Sequence, residues 1–190
     1  LGYIGTELCK IYSGVSWHHK IIVIDNRFIS ERVNQIRNWN MEFIHGDILD
    51  KDLVNKYFKD ADIVHHLAGV TDVPRTKSES TQEKDEKIKL VGEEGTQNIL
   101  DSISDKCKII FPSTHVIYEG IDEVKNNIKE NEESKPILSY SLSKAINEKQ
   151  LKKSGKNYVI LRLGSVYGYS TDTTRIDIMP NLFSKISSQN

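Results

Sequence analysis

Apolar positions in this chain fall into two kinds of run, and the two kinds alternate. Short, mainly apolar stretches predict buried strands at 19–25, 62–67, 108–111 and 158–163, the third of them stopped by Pro112. Met41-Glu42-Phe43-Ile44-His45 alternates and predicts a further strand at 41–45. Between them the spacing turns helical. A helix at 6–12 is expected to turn Leu8 and Ile11 inward, and a polar, arginine-bearing helix to span 30–38. Asp50 is placed to cap a helix running to 59, with Leu53, Val54, Tyr57 and Phe58 on one side. A long helix is expected at 84–104 with Ile88, Val91, Ile99 and Leu100 apolar, another at 138–153, and the start of one at 177–187. Residues 72–83 read as a solvated loop, and 119–136 as a surface loop with a turn of helix. Apolar strands alternating with helices predict an α/β fold: a doubly wound parallel sheet with helices on both faces.

Composition narrows the function classes. With 190 residues the chain holds one sizeable domain. A net charge of -1 with 28% charged residues gives no basic footprint for nucleic acid. Runs such as Ile21-Ile22-Val23-Ile24 are too short to span a bilayer, so no membrane role is expected. Two cysteines, Cys9 and Cys107, make no disulfide framework and suit a reducing cytoplasm. The six histidines stand without metal-site spacing, and no metal is expected.

The chemistry centres on Tyr140 and Lys144, four apart and so on one face of a helix. An ammonium beside a phenol favours the phenolate, which can take a proton from a sugar or alcohol hydroxyl. Gly2 and Gly5 open a helix, either as a bare helix start or as a phosphate site built from free amides and the helix dipole. Asp25 ends a strand 20 residues after Gly5. There it either marks a turn with Asn26 or accepts hydrogen bonds from both ribose hydroxyls of an adenosine, favouring NAD over NADP. Asp47-Ile48 is placed either at an adenine ring or as a helix cap. Leu67-Ala68-Gly69 is either a tight loop or a close approach to a ligand. Ser113-Thr114 lies at the carboxyl edge of the sheet, where a hydroxyl can bind the oxygen that Tyr140 deprotonates. His115 beside it is a second acid or base, or a structural histidine.

Together these residues resemble the extended short-chain dehydrogenase/reductase family, the NAD-dependent nucleotide-sugar epimerases and dehydratases, over nearly the whole chain. Gly2-Tyr3-Ile4-Gly5 is similar to the last part of its glycine turn. Ile24-Asp25-Asn26 is similar to its NAD-selecting acid, and His66-Leu67-Ala68-Gly69 to its fourth-strand signature. Gly95-Thr96-x-Asn98 resembles its long-helix motif, with Gly92 where an asparagine is usual. Ser113-Thr114-His115-Val116-Ile117-Tyr118 resembles the Ser-Ser-x-x-Val-Tyr-Gly run. Tyr140 and Lys144 match the Tyr-x-x-x-Lys pair, with Ser143 and Glu148 also in pattern. Leu161-Arg162-x-x-Ser165-Val166-Tyr167-Gly168 is similar to the run before the substrate lobe, with Ser165 for the common asparagine.

The resemblance implies a Rossmann-type fold and NAD as cofactor. Its contacts would be Gly2, Tyr3, Ile4, Gly5, Asp25, Asn26, Asp47, Ile48, Leu67, Ala68, Gly69, Tyr140 and Lys144. It implies hydride transfer on a nucleotide sugar with Thr114, Tyr140 and Lys144 catalytic, and Thr114, His115 and Ser165 at the substrate. Pairing of helices 84–104 and 138–153 into a homodimer is also implied. Family dehydratases carry an Asp-Glu pair where this chain has His115 and Val116, and valine does no proton chemistry. An epimerase is therefore expected ahead of a reductase or dehydrogenase, a dehydratase, or an inactive cofactor-binding module. The chain starts with Leu1 inside a motif and reads as an internal piece. Residues 1–170 would be an NAD-binding domain without its first, central strand, and 171–190 the start of a substrate region. On that reading, residues 1–190 alone are expected to be poorly stable and inactive.

Overall fold

The structure is a computed structural model that describes residues 1–70, 76–170, 176 and 178–189. Its contacts gather into two compact units: Leu1–Asp47 with the described part of Ser165–Asn190, and Ile48–Gly164. Among the described residues each unit holds one parallel sheet.

In the first unit β1 (Ile22–Asp25) pairs with β2 (Glu42–His45), Asp25 opposite His45. Helix α1 (Tyr3–Tyr12) starts three residues earlier than its apolar spacing predicts, directly after Gly2. Its buried residue is Thr6, and Ile11 is 75% exposed instead of inward. Five residues at about 100° each put Ile11 some 140° around the helix from Thr6. Helix α2 (Ser30–Asn38) matches its expected bounds and buries Val33 and Ile36. A later helix, Met179–Ser187, carries Pro180 in its first turn, where amides need no helical partner. Asp177, where that helix was expected to start, lies outside the described residues.

The second unit begins with α3 (Lys51–Phe58). Asp50 caps it as expected, accepting from the Leu53 amide at 3.0 Å. The sheet order is β3 (Ile63–His65), β4 (Lys108–Thr114), β5 (Asn157–Leu163), all parallel. Residues 72–75 of the expected solvated loop lie outside the described residues. The rest of it holds a short 3-10 turn, Lys77–Glu79, and the start of α4 (Gln82–Lys89), which Thr81 caps. The long helix expected at 84–104 is interrupted. A π-helical segment, Leu90–Glu94, separates α4 from α5 (Gly95–Ser102). Helix α6 spans Ser139–Lys153 and ends at Gly155, whose φ of +70° is open to glycine at little cost. No helical turn forms within 119–136.

Pro112 does not stop β4. The amide of Lys108 and the carbonyl of Ile110 both face β3, bonded to Asp62 O and His66 N. Pro112, two residues on, faces the same side beyond the last β3 pairing, where its missing N–H deprives no strand of a partner. The core lies on one face of this sheet: Ile109 and Phe111 of β4 pack with Val54, Ile99, Leu100 and Leu151 of the helices. No helix among the described residues is long and apolar enough to cross a membrane.

Candidate active site

The end of β4 sets the first half of the site. Thr114 is buried, and its Oγ1 accepts from the Val116 amide at 3.3 Å, capping the 3-10 turn His115–Tyr118. His115 is exposed. Its Nδ1 lies 3.1 Å from Leu163 O, and since a carbonyl only accepts, that nitrogen carries the proton. Ser113, also buried, donates to Glu148 Oε1 at 2.7 Å.

Helix α6 supplies the other half. Tyr140 and Lys144 fall in its first two turns. The Lys144 ammonium donates to Pro112 O at 2.8 Å, a carbonyl on the β3 side of β4 beyond the last β3 pairing. It lies 4.4 Å from the centre of the Phe111 ring and 5.9 Å from that of Tyr140. Loss of solvation lowers its pKa to about 8. It is charged at neutral pH. His66, 3% exposed, packs against Phe111 and pairs its Nε2 with Thr96 Oγ1 at 2.9 Å. Burial first, and Lys144 second, push His66 down to about 3, so it stays neutral.

Charged braces fix α6. Arg162 of β5 donates to Glu148 at 2.9 and 2.7 Å, and also holds Glu130 O at 2.9 Å and the Tyr118 hydroxyl. Asn147 and Gln150 donate to the carbonyls of Gly92 and Glu93 at 2.9 and 3.0 Å, taking up backbone groups that the π segment releases. The start of α6 is bonded through Ser139 to Asp85 and through Ser141 to Glu119. Of the sequence-predicted residues in this unit, Thr114, Tyr140 and Lys144 thus stand on two packed elements, β4 and α6. Leu67, Ala68 and Gly69 follow β3, the last two exposed. Ile48 is core: its carbonyl accepts from Asn98 at 3.0 Å and its side chain fills the space that a Cβ on Gly95 would take.

In the first unit, Gly2 leads into α1 in an extended conformation with no side-chain cap, so the first helical amides project past it. Gly5 and Ile4 lie within α1. Tyr3 is tied by its hydroxyl to Gly168 O and to Asn181. Asp25 accepts from the Arg27 amide at 2.8 Å. Asn26 donates to Asp47 at 2.9 Å, bringing two predicted residues together. Ser165 is exposed and belongs to this unit, not to that of Thr114.

A sequence profile described as the NAD dependent epimerase/dehydratase family matches residues 1–190. The chain belongs to that family. It is 31% identical over 178 residues to a putative UDP-glucose 4-epimerase of Methanocaldococcus jannaschii, covering 90% of this chain and 55% of that one. It also resembles a UDP-N-acetylglucosamine 4-epimerase from Methanobrevibacter ruminantium, crystallised with UDP-N-acetylmuramic acid. There the identity is 26%, the TM-score 0.77, and the coverage all of this chain and 61% of that one. A UDP-glucose 4-epimerase from Brucella ovis in complex with NAD is similar at 28% identity and a TM-score of 0.70, over 91% of this chain and 52% of that one. The chain thus spans about half the length of the family members it matches. The epimerase/dehydratase motifs contain the candidate residues but not the side chains that bond to them or to their elements. Glu119, Asp85 and Asn181 belong to no motif, and no periodicity marks them, because each acts across long sequence separations.

Proposed function

We propose that the full-length protein is an NAD-dependent nucleotide-sugar epimerase in which Tyr140 is the general base. The observation that carries this is the Lys144 ammonium, partly desolvated, held by Pro112 O and 5.9 Å from the Tyr140 ring. Tyr140 takes the proton of a sugar hydroxyl, and the lysine charge favours the phenolate that does so. Thr114, at the end of β4, binds the same oxygen and fixes its direction. Val116 beside it offers no proton to an eliminated water, which disfavours the dehydratase reading.

NAD fits the residues present. A helix start with uncapped amides after Gly2 suits a pyrophosphate. Asp25 suits the ribose hydroxyls, and the Asn26–Asp47 pair an adenine amino group. Tyr3, Ile4, Gly5, Ile48 and Leu67-Ala68-Gly69 complete that contact set, with His115 and Ser165 toward the sugar. When bound, NAD supplies the acceptor for the sugar hydride and returns it. We assign residues 1–170 to NAD binding and 171–190 to the start of a substrate region. We further assign the protein to the cytoplasm, consistent with free Cys9 and Cys107, and pairing to helices 84–104 and 138–153, where Leu90 and Leu142 are exposed.

A panel of nucleotide sugars incubated with the full-length protein and NAD tests the reading. Epimer formation without net reduction of the cofactor is expected. Net reduction would assign a dehydrogenase instead, and no product from any sugar would leave a binding module.

A further inference from the structure

Helix α6 begins without a cap of its own. The residue before it, Leu138, has no side-chain oxygen to satisfy the first amides. Glu119, from elsewhere in the chain, instead holds the two residues that lead into the helix and one side chain of its first turn. One carboxylate oxygen accepts from the amides of Ile137 at 2.8 Å and Leu138 at 2.7 Å and from the Ser141 hydroxyl. Those three residues flank Tyr140 on both sides.

Glu119 is also the residue on which the Thr114-capped turn closes, its amide bonded to Val116 O at 3.1 Å. The next residue, Gly120, bonds its amide to Lys135 O at 2.8 Å, and a Cβ there would stand 2.5 Å from that oxygen. Only glycine permits this approach, so the backbone is shaped to carry Glu119 to the helix. The family run resembled here has glycine where this chain has Glu119. A negative charge at a helix start is favourable for the dipole as well as for the amides. Desolvation works against the charge, yet the bonds from Ser141 and the two amides hold the carboxyl below the usual glutamate range. His115, Lys129, Glu130 and Arg162 share its groove of about 590 Å³, and Asp85 faces the same helix start through Ser139.

We propose that Glu119 is a positioning residue for turnover: it locks the helix start that carries Tyr140 to the turn that Thr114 begins. The inference rests on Tyr140 being the base. Without Glu119 the first turn of α6 frays, while Lys144, one turn on and held by Pro112, stays. Tyr140 then spends less time beside the ammonium. A displacement on the order of an ångström at a reacting group costs up to about a hundredfold in rate.

The test is the pH profile of kcat in the full-length protein, alongside the NAD dissociation constant. Glu119→Ala is expected to lower kcat about tenfold and move the alkaline-favoured midpoint to higher pH, with NAD affinity within about twofold. Glu119→Gln keeps the accepting oxygen and is expected to recover most of the rate. An unchanged profile in Glu119→Ala, or a Gln variant as impaired as the Ala variant, overturns the proposal. Should Glu119→Ala not fold, Ser141→Ala removes one donor and leaves the amides in place. An upward midpoint there supports the brace, and a wild-type profile overturns it. Tyr140→Phe is measured in parallel. If it stays active, the base assignment itself falls; if it is inactive while Glu119→Ala is normal, only the role of Glu119 falls.

Discussion

The two units present their candidate residues in opposite ways. In the first, Asn26 and His45 are exposed, Asp25 is half-buried, and their bonds run to near neighbours on adjoining strands. In the second, Ser113, Thr114, Glu148 and His66 are buried, and their bonds join β4, α5, α6 and β5. Holding a dinucleotide asks for donors and acceptors that a ligand can find. Moving a proton asks for groups fixed in advance where water cannot screen their charges. Substitutions should therefore change affinity in the first unit, and rate or stability in the second.

The sharpest break is Tyr140→Phe. Turnover should fall by about 10²–10⁴-fold with NAD affinity unchanged, measured by steady-state rates and calorimetry. Next is Arg162→Met, which leaves Glu148 3% exposed without its main partner. Urea denaturation should show a loss of about 3 kcal/mol. Gly95→Ala drives a methyl to 2.3 Å from Ile48 Cδ1 and should cost about 1–3 kcal/mol in the same assay. In the first unit, Asp25→Asn should weaken NAD about tenfold and leave NADP nearly unchanged, with no shift in the pH profile of kcat. Equal dissociation constants for the two cofactors in the unaltered protein would remove Asp25 as a selector.

A further effect is electrostatic. The pKa of Lys144 falls from 10.5 unfolded to about 8 folded. Between those values the unfolded chain holds more protons at this site, so stability rises with pH from about 8 to 10.5. Lys144→Met should flatten that rise, seen as the difference between urea midpoints of the two proteins at pH 8 and pH 10.

Much of this was legible from residue order. Apolar runs located four of the five strands among the described residues and alternation the fifth, and the candidate residues sit at strand ends and on a helix face. What escaped depended on partners far along the chain. Pro112 looked like a stop because only the pairing of β4 with β3 reveals which side of the strand it faces. Ile11 looked inward because its neighbours are apolar, although the buried face of α1 is set by Thr6. Asn147 and Gln150 gave no hint that their amides would take up the carbonyls of residues 92 and 93. Glu119 read as one more charge in an acidic loop.

The π segment has a consequence for how the long helix is encoded. Before it, α4 lies against α6; after it, α5 lies against α3. One extra residue in a turn advances the phase by about 100°, so the two halves aim their packing stripes in different directions. The helix is specified by count as well as by composition. Deleting Gly92, Glu93 or Glu94 would restore an unbroken hydrogen-bond ladder and remove no apolar residue. It would also swing Thr96 away from His66 and Asn98 away from Ile48, a change that no substitution table would score as harmful.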